Sequence, residues 1–202
     1  MKSALRRSWG SEEIALQSAR KPRPMSQPCE AAGLDGPAFD ALFERCARDV
    51  HGYALSLLGD RASAEDVTAL AFERLYRSRS RLDRGRGTPR AWLFAIARNA
   101  ALDELRRRRR RPQLLADAEA FSAPDVDDAA EQMERRAAVR AGLAALPLRE
   151  REIVLLKFHG QLPNGELARV LGISESNAGT RLHRALAHLR ECCDEAGRQE
   201  VA

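Results

Sequence analysis

Apolar residues recur every three or four positions along most of this chain, and this spacing predicts helices rather than strands. The pattern is clearest near the C-terminal end, where one helix has a single apolar stripe: Ala178, Leu182, Ala185 and Leu189. A shorter helix precedes it, with an apolar face formed by Leu167, Val170 and Leu171. Gly172 is expected to end that helix and Ser174 to cap the next one.

The opposite face of the later helix is polar and basic, and it carries Thr180, Arg181, His183, Arg184 and His188. A helix that is buried on one side and basic on the other, placed behind a tight turn, is typical of DNA-binding helix-turn-helix units. The same spacing also occurs in ordinary helical bundles, whose basic faces are simply solvated. The pattern favours a helix that reads a DNA major groove. Features elsewhere in the chain help to decide between this interpretation and an ordinary helical bundle.

The N-terminal half is predicted to be helical from Pro37 to Arg81, with a break at Gly59-Asp60. Ser63 is expected to cap the helix after that break. Thr88-Pro89 predicts a further helix start, because a capping residue is followed by proline at the first helical position. The run after it, AWLFAIA, is apolar on all sides, so it predicts either a wholly buried helix or one that also meets a partner.

Two more helices are predicted before the helix-turn-helix unit, at Glu134–Leu146 and Arg149–His159. No segment shows the alternation of a strand, so the predicted fold is all-α with two small helical domains. The predicted divisions are a poorly ordered extension (1–36), an N-terminal domain (37–111), a linker (112–133) and a C-terminal domain (134–195).

Charge is distributed unevenly along the 202 residues, although the net charge is only +5. Residues 106–111 are six consecutive arginines, whereas the predicted linker from Pro112 to Met133 contains acidic residues and no lysine or arginine. Blocks of opposite sign predict separate contacts, one of them with a polyanion.

Several function classes have little support in the sequence. The four cysteines lack CxxC spacing and form no legible disulfide framework, which favours a cytoplasmic protein. No apolar stretch reaches the length of a membrane span or of a signal-peptide core, so no membrane insertion is expected. There is no phosphate-binding loop, dinucleotide fingerprint or HExxH motif. We therefore expect neither an enzyme nor a bound metal or cofactor.

Three stretches in this order resemble the extracytoplasmic-function (ECF, group IV) sigma factors of bacterial RNA polymerase. They are AEDVTALAFERLY (64–76), TPRAWLFAIARNAALDELRRRRR (88–110) and LPLREREIVLLKFHGQLPNGELARVLGISESNAGTRLHRALAHLRE (146–191). The resemblance covers about residues 39–191. It implies two helical domains, σ2 and σ4, which bind core RNA polymerase at the β′ clamp helices and the β flap. It also implies promoter DNA as a partner, and an anti-sigma factor as a further partner to consider.

The resemblance also implies roles for particular residues. The positions that match the polymerase-binding helix of the family are Glu65, Asp66, Phe72 and Arg74. The positions that match the segment opening and holding the −10 promoter element are Trp92, Arg98 and Asn99, with Arg106, Arg107 and Arg108 as backbone cations. The positions that match the helix reading the −35 element are Thr180, Arg181, His183 and Arg184, with Ser174 at the phosphate-facing helix start.

The chain departs from the family pattern at three places. Ala69-Leu70 stands where members commonly have glutamine and an acidic residue, and Ala178-Gly179 where they often have valine and a basic residue. Gly165 replaces a helix-forming residue. Because glycine inside a helix costs up to about 1 kcal/mol relative to alanine, we expect altered −35 reading.

The sequence thus predicts a transcription initiation factor that has no active site and directs core polymerase to promoters. The alternative is a free-standing helix-turn-helix regulator, which leaves the apolar AWLFAIA segment and the acidic linker unexplained.

Overall fold

The computed structural model describes residues 34–79, 87–110 and 130–199. The predictions made for residues 1–33, for most of the basic loop before Gly87 and for the linker through residue 129 lie outside these ranges. The described residues form seven helices and no strand, which confirms the predicted all-α fold. The helices are α1 (Gly36–Leu58), α2 (Arg61–Ser78), α3 (Pro89–Arg110), α4 (Ala130–Ala145), α5 (Leu148–Phe158), α6 (Asn164–Leu171) and α7 (Glu175–Gln199).

The helix ends follow from local chemistry, with one correction to the sequence prediction. Gly59 ends α1 in the left-handed conformation, at φ 69°, where a side chain would be strained. The cap of α2 is Asp60 rather than Ser63, because the Asp60 carboxylate accepts the Ser63 amide at 3.0 Å. Thr88 caps α3 as expected, and its hydroxyl accepts the Ala91 amide at 3.2 Å.

Helices α1, α2 and α3 pack on one another and form the N-terminal half. Its core includes fully buried Tyr53 and Phe94, whose rings meet edge to face with centroids 5.8 Å apart. The apolar AWLFAIA run supplies Leu93, Phe94 and Ala97 to this core, while Trp92 and Ile96 remain partly exposed. The segment is thus mainly a core helix with one accessible edge. Phe43 of α1 is 47% exposed, although it is apolar.

Helices α4 to α7 form the C-terminal half around the predicted stripe of α7. Ala178, Leu182 and Ala185 are buried there, together with Leu156 of α5 and Leu167 of α6. α4 lies against the far end of α7, where Gly142 permits a close approach. A Cβ atom on Gly142 would stand 2.5 Å from the Cys193 Sγ and 3.3 Å from its backbone nitrogen.

The two halves also touch each other directly, which the sequence did not predict. α1 contacts α5, and α3 contacts α6. The Thr88 amide, at the start of α3, donates to the Glu166 carboxylate of α6 at 3.0 Å. In the part of the chain that is described, no helix combines the length and apolarity needed to cross a membrane.

Candidate nucleic-acid interface

The helix-turn-helix unit is built by α6, a short turn and α7. Gly172 ends α6 with φ at 68°, and its amide donates to the Arg169 carbonyl at 3.2 Å. Ser174 then accepts the Asn177 amide on its hydroxyl at 3.3 Å, which confirms it as the cap of α7. The turn and the cap fix the direction in which α7 leaves the core.

The predicted −35 residues lie together on the solvent face of α7. Thr180, Arg181, His183 and Arg184 are all exposed. Thr180 donates its hydroxyl proton to the Ser176 carbonyl of its own helix at 3.0 Å. Arg181 and Arg184 form no ion pair with any described residue, so their guanidinium groups are available to an external anion.

A second polar stripe runs along α3. Trp92, Asn99 and Arg106 are spaced by seven residues, which places them above one another on a helix. Asn99 and Arg106 are exposed and Trp92 is half-buried. Arg106 and Arg107 pair with carboxylates of the preceding turn, Arg106 with Asp103 and Arg107 with Glu104. Such exposed pairs are weak and exchange readily for other anions.

Two arginines predicted to face DNA are instead engaged by the protein. Arg98 binds Glu152 of α5, with Nε 2.7 Å from Oε1. Arg108 donates to the Leu58 carbonyl at 2.9 Å and to Asp60 at 2.8 Å, and its side chain is only 16% exposed. Arg108 therefore supports the fold, and its expected role as a backbone cation stays a prediction.

The predicted polymerase-binding residues are split between surface and core. Glu65, Asp66 and Arg74 are exposed on α2, and Glu65 pairs with Arg61 at 2.9 Å. Phe72 is only 5% exposed, so it supports this surface from beneath, and its expected role in polymerase binding stays a prediction. Its ring packs on Phe43 at a centroid separation of 4.8 Å.

Two glycines at positions that differ from the family pattern, Gly165 and Gly179, have different neighbours. A Cβ on Gly165 would lie 3.4 Å from a Glu175 carboxylate oxygen, so this glycine stands close to the start of α7. A Cβ on Gly179 would meet only the Asn164 amide nitrogen, at 3.8 Å. Both distances are ordinary van der Waals contacts with side chains, so nothing in the surroundings of either glycine requires glycine.

Three residues that sequence reasoning did not single out join the two halves, Arg90, Glu152 and Glu166, and Asp49 binds Arg90 from within the N-terminal half. The Arg90 guanidinium donates to Asp49 and to the His159 carbonyl, both at 2.8 Å. Glu152 carried a usable signal, because it directly precedes the apolar run IVLL and lies on the buried side of its helix. A charge at such a position predicts a partner from another element.

The described cysteines, Cys46, Cys192 and Cys193, form no disulfide. Burial raises the pKa of Cys193 to about 11, and the pKa of Cys46 is also raised by burial. At neutral pH both thiols are protonated and weakly nucleophilic. No group of three metal-ligating side chains is found among the described residues.

Each half of the chain matches a known protein family. Residues 42–111 match Sigma-70 region 2, and residues 136–189 match Sigma-70, region 4. The ECF RNA polymerase sigma factor SigL of Mycobacterium tuberculosis is 29% identical over 175 residues, covering 86% of this chain and 98% of SigL. The ECF RNA polymerase sigma factor SigK of Mycobacterium bovis is 29% identical over 170 residues, covering 81% of this chain and 89% of SigK.

Solved structures show the same fold. The sigma factor RpoE, in complex with the anti-sigma factor NepR from Bartonella quintana, matches with a TM-score of 0.63 and 21% identity, covering 77% of this chain and 96% of that one. CnrH, in complex with the cytosolic domain of CnrY, matches with a TM-score of 0.58 and 25% identity, covering 80% and 90%. With the two sigma-70 regions in their order on these two helical halves, the chain belongs to the ECF RNA polymerase sigma factors, which direct promoter-specific transcription.

Proposed function

We propose that this sigma factor, of group IV, reads its promoters at two places. The exposed face of α7 binds the duplex −35 element in the major groove, with Arg181 and Arg184 donating to base edges and phosphates. The α3 stripe through Trp92, Asn99 and Arg106 binds the unwound −10 strand. Opening the duplex costs a few kcal/mol per unstacked base, which contacts to the extruded base and to the backbone offset.

The observation that carries this proposal is the exposure of a basic face on α7 and of a polar stripe on α3, two separate helices. Helix α7 is held by its buried stripe and its Ser174 cap, so its four exposed polar residues point away from the core. The α3 stripe begins at a capped helix start and ends in the arginine run. Two such faces on one chain are better explained by recognition of DNA at two places than by a single duplex-binding site.

Core RNA polymerase is the proposed protein partner. The exposed charges on α2, Glu65, Asp66 and Arg74, form the surface we assign to the β′ clamp helices, with Phe72 supporting it from the core. The C-terminal half would meet the β flap. The structurally similar sigma factor RpoE was solved with the anti-sigma factor NepR, so we include an anti-sigma factor among the proposed partners.

Run-off transcription with purified core polymerase on a genomic DNA library tests the proposal. The expected result is a set of transcripts that require this protein and share two sequence elements upstream of their starts. A gel shift with the same fragments distinguishes a sigma factor from the alternative, a free-standing regulator. A free-standing regulator binds duplex DNA alone, whereas a sigma factor of this type needs the core enzyme. Specific binding without polymerase, together with no new transcripts, would contradict the proposal.

A further inference from the structure

A small set of charged groups joins the two halves, beside the apolar side chains of both halves that form one continuous core. We call this set the interdomain clasp: Arg90, Arg98, Glu152 and Glu166, with the carbonyls of His159 and Gly160. Three charged side chains are buried in the described part of the chain, Asp49, Glu152 and Glu166, and each of them binds a member of this set or the start of α3. Buried charge is thus concentrated where the halves meet.

Two helix ends are capped across the contact. Arg90, in the first turn of α3, donates to the carbonyls of His159 and Gly160, which directly follow α5. Glu166 of α6 in turn accepts the Thr88 amide at the start of α3. A guanidinium at a helix C-terminus and a carboxylate at an N-terminus both complement the helix dipole and satisfy groups that the helix leaves unpaired. Each half therefore completes a helix of the other.

The third contact is the ion pair between Arg98 and Glu152. Both nitrogen–oxygen contacts are made, Nε to Oε1 at 2.7 Å and a terminal nitrogen to Oε2 at 3.4 Å. The two side chains are 21% and 7% exposed. Glu152 lies beside Tyr53 of the N-terminal half, where burial and the charge of Glu152 together raise the pKa of the phenol.

These contacts hold the halves together in a way that is readily reversed. The attraction within a buried ion pair is largely offset by the cost of removing both charges from water. In the described part of the chain, two pairs of helices make the main contacts between the halves, and a limited interface between domains of one chain behaves like a transient one. The halves are therefore expected to separate when a competing ligand takes one member of the pair. Arg98 is that member, because a phosphate offers the same two-oxygen geometry as the Glu152 carboxylate.

We propose that Arg98 has two alternative anionic partners, Glu152 in a closed state of the free protein and the DNA backbone in an open state, so that Glu152 inhibits DNA binding. The inference rests on the proposed −10 role of the α3 stripe. In the closed state Arg98 is engaged by Glu152. The predicted −35 residues stay exposed in that state: Thr180, Arg181, His183 and Arg184. Inhibition therefore acts on the −10 side and leaves the −35 face accessible.

A steric feature gives an independent way to open the clasp. The imidazole of His159 lies on α1 at Gly52, where a Cβ would stand 2.9 Å from the ring. The same ring lies 3.4 Å from the Ser56 hydroxyl. Gly52→Gln places a long, helix-forming side chain at this contact without changing any charge of the clasp. It should separate the halves while the N-terminal half stays folded.

The state of the clasp can be measured through the Thr88 amide in the full-length protein. This amide precedes α3 and donates to Glu166 across the contact, so its hydrogen exchange by NMR reports closure. Glu152→Gln and Gly52→Gln are expected to speed its exchange about tenfold, a shift of about 1.4 kcal/mol in the opening equilibrium. The matched control is Glu150→Gln, because Glu150 lies on the same helix and pairs with His188 of its own half.

The competition is tested with a fluorescent single-stranded DNA of random sequence, without polymerase. Glu152→Gln and Gly52→Gln should bind this DNA several-fold more tightly than the wild type, and Glu150→Gln should bind it equally. Unchanged Thr88 exchange in both opening variants would overturn the closed state. Faster exchange with unchanged DNA binding would overturn the competition. Both readouts are independent of the run-off assay, so failure here is distinguishable from failure of the proposed function.

Discussion

Arg108, near the end of α3, reaches back to Asp60, the residue that caps α2. Their nitrogen and oxygen atoms are 2.8 Å apart, and Arg108 also donates to the Leu58 carbonyl at the end of α1. One guanidinium thus satisfies the last turn of α1 and the first turn of α2 together. The bond connects all three helices of the N-terminal half at one corner and separates Arg108 from its neighbours in the arginine run.

Replacing Arg108 with alanine should lower the free energy of unfolding by about 2 kcal/mol. The change leaves a helix-end carbonyl and a capping carboxylate without their partner, and such losses typically cost this much. Arg109→Ala is the matched control, because Arg109 is exposed on the same helix and should change stability by less than about 0.5 kcal/mol. Urea titrations of both variants make the comparison, and equal stabilities would contradict the structural role.

Stability should fall in acid partly through Asp60. Hydrogen bonds from Ser63, and then the charge of Arg108, hold the pKa of Asp60 below its usual value. A lowered pKa contributes stability above the pKa of the unfolded chain, about 4, and that contribution is lost as the pH falls through the folded value.

Asp60→Asn keeps the cap but removes the charge. It should cost less than about 1 kcal/mol at neutral pH, since the Asp60 side chain is 37% exposed to screening solvent. The difference from the wild type should shrink as the pH falls below about 4 and vanish below the lowered pKa of Asp60 in the folded protein, because the wild-type carboxyl is then also uncharged. Thermal unfolding across this pH range measures it, and a difference that grows in acid would refute the assignment.

Two helical glycines should respond oppositely to alanine. Gly179→Ala should stabilise the protein by up to about 1 kcal/mol, because the new methyl group meets only Asn164 at ordinary contact distance. Gly142→Ala should destabilise it by about 1–3 kcal/mol, because Cys193 occupies the space. Differential scanning calorimetry decides both signs, and the same sign for the two variants would show that α4 and α7 are not packed as described.

Arg181→Ala should weaken −35 recognition by about 1–3 kcal/mol, the usual contribution of a base-specific arginine contact to the binding free energy. Transcription from a promoter with an intact −35 element should fall about tenfold or more, whereas promoters with a scrambled −35 element should respond little. Arg149→Ala, exposed on α5, removes the same charge away from α7 and serves as the control. Equal losses on both promoters would assign Arg181 a non-specific phosphate contact instead.

The sequence was sufficient for the helices and for the helix-turn-helix face. Both follow from local rules: apolar residues three and four apart share a side of a helix, and glycine, proline, serine and threonine mark its ends. Ser174 as a cap, the buried residues Ala178, Leu182 and Ala185, and the start of α3 after Thr88 were predicted in this way. Local rules were less reliable where two capping residues competed, and Asp60 rather than Ser63 begins α2.

Only the tertiary structure decided which of several similar charges has which partner. Arg106, Arg108 and Arg109 are equivalent in sequence, yet Arg108 alone reaches Asp60, because the packing of three helices brings residues 48 positions apart together. Arg98 and Glu152 are 54 positions apart and lie in different halves. Helical periodicity determines the side of a helix on which a charge lies. Which distant group occupies that side depends on how the helices pack, and this leaves no local signal in the chain.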